Sequence, residues 1–269
     1  MIDKNLSMAV TTTPGWDLGQ CVEGWARAGL TQIGVTREKL EAYGPARGIK
    51  KIKDAGLKVS SFHGIGGLYT KLQPQRFEQN LDIARRGLEW SAEMKAGCGL
   101  IVGGPREGRT WEEAAKEYMD GVRQILPAAR ERGIPLVIEP LHPIRQQWMW
   151  LNTLKDACDL ASEMDDPMVG VVFDFWQQFW ERGIEETVRQ HAQRIFLVHV
   201  SDYKLETVNL PDRAMLGEGI VPVGRLLRAL RDGGYGRVYE IEVISGDLER
   251  MGYDAAIGRL VEAYGRLKG

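Results

Sequence analysis

Histidine and cysteine are scarce in this 269-residue chain, at four and three copies. Cys21, Cys98 and Cys158 are far apart and odd in number, which excludes a disulfide framework and a CxxC metal knuckle, so reduced thiols are expected. Excess charge of one sign is also missing. The formal net charge is -2 and the pI is near 6.2, so the basic domain or stripe of a general nucleic-acid binder is not present. No run approaches the ~18 apolar residues of a membrane span. The start, Met1-Ile2-Asp3-Lys4-Asn5, lacks the basic opening and apolar stretch of a secretory signal. The expectation is a cytoplasmic protein with neither a membrane nor a nucleic acid as partner.

What the chain does have is alternation. Short apolar runs fall at Leu6–Val10, Thr31–Val35, Lys58–His63, Gly99–Gly103, Leu136–Glu139, Val169–Asp174, Ile195–Val200 and Val238–Ile244. Segments that can be helical follow them, among them Gln75–Ala96, Trp111–Arg132, Thr153–Met164, Glu185–Arg194, Val221–Asp232 and Tyr253–Leu267. Ala55-Gly56-Leu57, Arg132-Gly133-Ile134 and Gly233-Gly234 read as helix ends that return to a strand. Leu136-Val137-Ile138 and Val171-Val172-Phe173 are apolar on both faces, which suits a parallel sheet covered by helices. No Pro/Ser-rich linker divides the chain. The α/β class follows, with residues 1–269 as one domain. Eight repeats over a length near the ~250 residues typical of the fold predict a closed (β/α)₈ TIM barrel.

Four runs carry a potential metal ligand at or near their C-terminal end: Glu139, Asp174, His199 and Glu242. In a barrel those ends converge on one mouth. Taken singly, each residue is more often structural. Three carboxylates and an imidazole together would repel unless a cation sat among them. Oxygen ligands with a single nitrogen suit one divalent ion, Mn²⁺ before Mg²⁺ or Co²⁺, and Zn²⁺ accepts such a set as well. Period-two alternation puts Glu240 on the same side as Glu242, one layer deeper, and a bulge could exchange their roles. Position near the strand end selects Glu242.

Ile138-Glu139-Pro140-Leu141 with Leu151-Asn152-Thr153, Phe173-Asp174, Val198-His199-Val200-Ser201-Asp202, Leu216-Gly217-Glu218-Gly219, and Gly234-Tyr235-Gly236 before Ile241-Glu242 form a set. As a set they resemble the sugar isomerase/epimerase superfamily of xylose-isomerase-like TIM barrels, over essentially the whole chain. That superfamily includes ketose 3-epimerases, hydroxypyruvate isomerase, inosose dehydratase and apurinic endonucleases, and the motifs do not single out a member. The resemblance implies that Glu139, Asp174, His199 and Glu242 hold the metal, with Glu139 and Glu242 also acting as the acid/base pair. The ion would polarise a carbonyl and hydroxyl and stabilise a cis-enediolate while the glutamates move the proton. A small-molecule carbohydrate substrate and a homo-oligomer, dimer or tetramer, are implied as well.

Two departures from the ketose epimerase pattern point away from a free ketohexose. Gln177 stands where those enzymes carry a histidine three residues after the aspartate, and it is expected to contact substrate there. His142, Pro143 and Arg145 stand where their Glu-Pro-Leu motif runs on to an acidic residue. Arg145 and Arg213 could anchor a phosphate or carboxylate, or lie on solvated loops. His63 could contact substrate or cap its strand, and His142 is similar. Trp16, Trp111, Trp148, Trp150, Trp176 and Trp180 could stack on a sugar ring or pack the barrel top. The leading expectation is a metal-dependent isomerase or epimerase of a sugar, sugar phosphate or hydroxy-keto acid. Its alternative is a lyase or dehydratase of a keto-sugar, keto-inositol or 3-keto-glycoside that uses the same metal and base. Apurinic endonuclease chemistry needs three zinc ions and many histidines, against His63, His142, His191 and His199 here. A binding-only barrel would have no need of all four ligand types.

Overall fold

A computed structural model describes residues 2–67, 74–206 and 212–269, with side chains from residue 77 onward in the second span. The strands are β1 (Leu6–Ala9), β2 (Gln32–Thr36), β3 (Lys58–His63), β4 (Gly99–Ile101), β5 (Leu136–Ile138), β6 (Val169–Asp174), β7 (Ile195–Val200) and β8 (Val238–Ile241). All pair in parallel and in chain order, and β8 closes on β1 with Leu6 opposite Tyr239. The alternation had placed each of them. β4, β5 and β8 end sooner than the apolar runs suggest, so Glu139 and Glu242 lie one residue past their strands. Pro140 has no N–H with which to continue the β5 ladder. Both glutamates still reach the neighbouring strand through their amides, Glu139 N to Ile101 O at 3.3 Å and Glu242 N to Val200 O at 3.1 Å.

Helices lie between the strands, and their ends are written in the sequence. Asp17 with Gln20 and Thr110 with Glu113 form capping boxes at the starts of Leu18–Arg27 and Trp111–Arg132. Gly133 closes the second of these in the left-handed conformation, φ 65°. The β2–β3 connection holds two helices, Arg37–Tyr43 and Pro45–Asp54, which periodicity did not single out. They are short and interrupted at Gly44-Pro45, so neither presents a long apolar stripe. Among the described residues no helix is long and apolar enough to cross a membrane.

Period-two alternation then sorts the strand residues. Leu136, Ile138, Val171, Phe173, Val198 and Val200 face outward into the core shared with the helices. Cys98, Leu100, Val137, Val172 and Leu197 form a separate buried cluster, with Leu100 beside Val137 and Val172 beside Leu197 in register. That cluster plugs the lower barrel. Two residues further along the same faces stand Glu139, Asp174 and His199. Glu240 of β8 is opposite both His199 and Ser7 in register. Across from it β2 carries Gly34, where a methyl group would overlap the Glu240 carboxylate.

Glu240 is fully buried and held by several donors, so it cannot simply swing aside. Gly34→Ala is therefore expected to lower the unfolding free energy by about 1–3 kcal/mol, the usual cost of overpacking a core. Urea denaturation followed by circular dichroism measures this, and an unchanged midpoint would mean that Glu240 is loosely held.

Candidate active site

The C-terminal strand ends bring together the four side chains read as ligands. His199 is fully buried at the centre of the group. Its Nδ1 lies 3.3 Å from Glu139 Oε1, 3.9 Å from Asp174 Oδ2 and 3.7 Å from Glu242 Oε2. Its Nε2 faces the opposite way, 3.4 Å from Glu240 Oε1. Neither ring nitrogen has a hydrogen bond of normal geometry among the described residues. Asp174 has no exposure, whereas the side chains of Glu139 and Glu242 keep 13% and 9%. Those two alone of the four open onto the mouth.

Asp174 and Glu242 are held in place by their own partners. Ser201 Oγ donates to Asp174 Oδ1 at 2.6 Å, and the Trp176 amide donates to the same oxygen at 2.8 Å. Thr11 Oγ1 donates to Glu242 Oε1 at 3.0 Å. Arg213 is fully buried, with Nη2 at 3.1 Å from Asp174 Oδ2 and Nη1 at 2.8 Å from Glu242 Oε2. Both ends of its fork are thus engaged with candidate ligands, and Nε is buried without a partner among the described residues. The sequence had offered Arg213 as an anchor for an anionic substrate.

The protonation pattern follows from crowding. Burial works against charge on His199, but Glu242, Glu139 and Glu240 overcome it and hold the imidazole well above its ordinary range. Burial pushes Asp174 up despite Arg213. Glu242 is also buried, yet Arg213 and His199 hold it down. Glu240 falls below the usual carboxylate range, burial being outweighed by His199 and His63. Four acids against one permanent cation leave a marked local deficit of positive charge.

The mouth above is partly aromatic. Trp176 stacks on Tyr203 with ring centroids 5.2 Å apart, and His142 lies 5.5 Å from Trp176 and 5.7 Å from Trp180. Burial lowers the pKa of His142 and favours its neutral form. Gln177 is buried, and its Oε1 accepts from the His142 amide at 2.8 Å, so it supports the loop that carries His142. Arg145 is half-buried in that loop, and its Nε has no partner among the described residues. His63 Nε2 lies 3.1 Å from Glu240 Oε1, and its ring stacks on His199 at 5.1 Å. Trp111 and Trp150 pack on each other, and Trp16 packs on Trp25 and Tyr253. These three serve packing.

Several supporting residues carried no role in the sequence reading. Gln178 donates to Pro140 O at 2.6 Å and accepts from the Asp174 amide at 3.1 Å, which joins the ends of β5 and β6. Asp202 accepts from the amides of Gly217, Gly219 and Val221 at 2.9–3.0 Å. The Gly217-Glu218-Gly219 motif is therefore a loop wrapped on a carboxylate. Ser201 and Asp202 lay inside a quoted motif. Ser7, Ser60 and Ser61, polar residues on buried strands, were the signal for Glu240.

Arg213→Met would leave Asp174 and Glu242 buried beside each other without their guanidinium partner, with only the His199 imidazole close to both. In protein stripped with a chelator, the loss in unfolding free energy should be about 3–5 kcal/mol, as for other broken buried pairs. Urea titration reads it, and a loss under ~1 kcal/mol would mean that the two acids are neutral in the native state.

The family model described as xylose isomerase-like TIM barrel matches residues 21–263. The inosose isomerase of Bacillus subtilis (strain 168) is 23% identical over 151 residues, 54% of this chain and 53% of that protein. The 3-dehydroshikimate dehydratase of Pseudomonas putida is 22% identical over 247 residues, 89% of this chain but 38% of that protein. The chain thus spans about half the length of the first relative and less of the second. The crystal structure of the IolI protein with a bound zinc atom superposes with a TM-score of 0.87 over 98% of both chains at 18% identity.

Proposed function

Because the chain belongs to the xylose isomerase-like TIM barrel family, we propose that it is a divalent-metal-dependent isomerase or epimerase of a small, sugar-like ketone. The observation that carries this reading is His199 Nδ1 facing oxygens of Glu139, Asp174 and Glu242 at 3.3–3.9 Å. Metal–ligand bonds of about 2.1 Å put neighbouring donors about 3.0–3.5 Å apart; Glu139, Asp174 and His199 offer donor atoms within 4.8 Å of one another, and Glu242 would draw in to complete the set. The unpartnered buried nitrogen also fits, and a dication would offset most of the surplus negative charge. Glu139, Asp174, His199 and Glu242 are the proposed ligands. Zinc in a solved relative and the oxygen-rich donor set, which also suits Mn²⁺, make these two the first metals to test.

When bound, such an ion supplies Lewis acidity toward a ketone and an adjacent hydroxyl. Glu139 and Glu242, the two acids that keep some exposure, stand just past the ends of β5 and β8, three strands apart around the barrel. One removes the proton from the carbon beside the carbonyl, and the other returns it to the opposite face or to the neighbouring carbon. Asp174 and His199, wholly buried, stay in place throughout. Arg213 keeps Asp174 and Glu242 aligned. The His142 and Tyr203 rings, backed by the buried Trp176, offer an apolar wall to the C–H face of a sugar-like ring, and Arg145 offers a cation for an acidic substituent.

A second reading is favoured by the similarity to a dehydratase along 89% of this chain. The same base would remove the same proton, and a hydroxyl on the next carbon would then leave as water, its C–O bond breaking as it takes a proton from the partner glutamate in its acid form. A homo-oligomer remains part of the proposal, testable by light scattering.

Incubation of the Mn²⁺- or Zn²⁺-loaded protein with cyclic and open-chain keto-sugars in D₂O should exchange the proton next to the carbonyl. Glu139→Gln should slow that exchange by about 100-fold or more, the usual contribution of a positioned general base. Proton NMR follows it. A growing enone absorbance would select the dehydratase reading, and absence of exchange for every ketone tried would count against both.

A further inference from the structure

Beneath the proposed metal site lies a second polar layer that the reading above leaves without a role. Glu240 has no exposed surface, in a barrel whose next layer down is Leu100, Val137, Val172 and Leu197. Its Oε2 accepts from Ser60 Oγ at 2.5 Å, Ser61 Oγ at 3.0 Å and Ser7 Oγ at 3.3 Å. Its Oε1 accepts from Ser61 Oγ at 2.8 Å and lies 3.1 Å from His63 Nε2. Gly34 leaves the space that the carboxylate fills. β1, β2 and β3 thus all shape a cradle for one acid from β8. Filling the barrel would not require it, since an apolar side chain fills the layer below.

The cradle aims Oε1 at His199 Nε2, 3.4 Å away. An imidazole has two tautomers, and an acceptor fixed beside one nitrogen decides which nitrogen keeps the proton. A carboxylate beneath Nε2 keeps the proton there and leaves the lone pair on Nδ1. Nδ1 is the nitrogen that faces Glu139, Asp174 and Glu242. Carboxylates that accept from the outer nitrogen of a histidine ligand also increase its donor strength.

We infer that Glu240 is a positioning residue, which fixes His199 with its proton on Nε2 and its lone pair on Nδ1 toward the metal, and so sets the affinity for the ion. The inference rests on the metal reading of the site. It also distinguishes the roles of the two acids of β8: Glu242 meets the ion, and Glu240 meets the histidine. A rival arrangement uses the same atoms, because His63, His199 and Glu240 are themselves close enough to hold an ion. The four groups already gathered on the Glu240 carboxylate, Ser7, Ser60, Ser61 and His63, argue for hydrogen bonding there.

The test uses the full chain, stripped with a chelator and titrated with ¹¹³Cd²⁺ after ¹⁵N-histidine labelling. One equivalent should bind, with ¹¹³Cd–¹⁵N coupling to His199 Nδ1 and a proton retained on Nε2. Glu240→Gln keeps the shape and removes the charge. It should fold with a Tm no lower than the parent and bind Cd²⁺ and Zn²⁺ about tenfold to a hundredfold more weakly. Coupling to Nε2, or two ions per chain, would overturn the inference, and the wild-type spectrum decides this even if the variant does not fold. Binding through Nδ1 with unchanged affinity in Glu240→Gln would overturn this inference alone. No ion bound by the wild type would remove the metal reading and this inference together.

Discussion

Four carboxylates, Glu139, Asp174, Glu240 and Glu242, converge within hydrogen-bond or ion-pair reach of a single buried imidazole. Like charges at this spacing in a medium of low polarity are strongly unfavourable unless compensated. The compensation in the chain itself is Arg213 for Asp174 and Glu242, and three serines with His63 for Glu240. Among the described residues Glu139 has no such partner beyond His199, and it is also the most exposed of the candidate ligands. It is the acid with the least fixed environment of the four.

A closed barrel suits this arrangement because its interior separates cleanly into levels. The apolar plug beneath keeps water from reaching the acids from below, while the shell outside the strands is entirely conventional in its packing. The top is tied down by polar side chains bonding to backbone groups: Gln178 to Pro140, Gln177 to His142, Asp202 to the glycine loop. Such bonds hold loops in one geometry without an extensive apolar contact, which leaves the mouth open to a polar ligand.

The ends of β6 and β7 were legible because each apolar run stops at a single polar residue, Asp174 in one and His199 near the end of the other. Glu240 and Glu242 were harder, since alternation places both on the inner face. Their separation came from which side of the imidazole each one meets. Gln177 and Arg213 were read as substrate contacts, yet their polar atoms are largely taken by the His142 amide and by two acids. A side chain's type and spacing carry no record of the partners that a distant strand will bring to it.

By itself the order of residues determined the class of fold, the eight-part repeat and the four candidate ligands. Those depend on local periodicity and on polarity at strand ends, which are properties of short segments. Tertiary structure alone decided the serine cradle around Glu240, the two-way embrace of Arg213, and which face of His199 meets the acids. Each depends on side chains from strands separated by scores of residues, and closure of the barrel is what makes them neighbours.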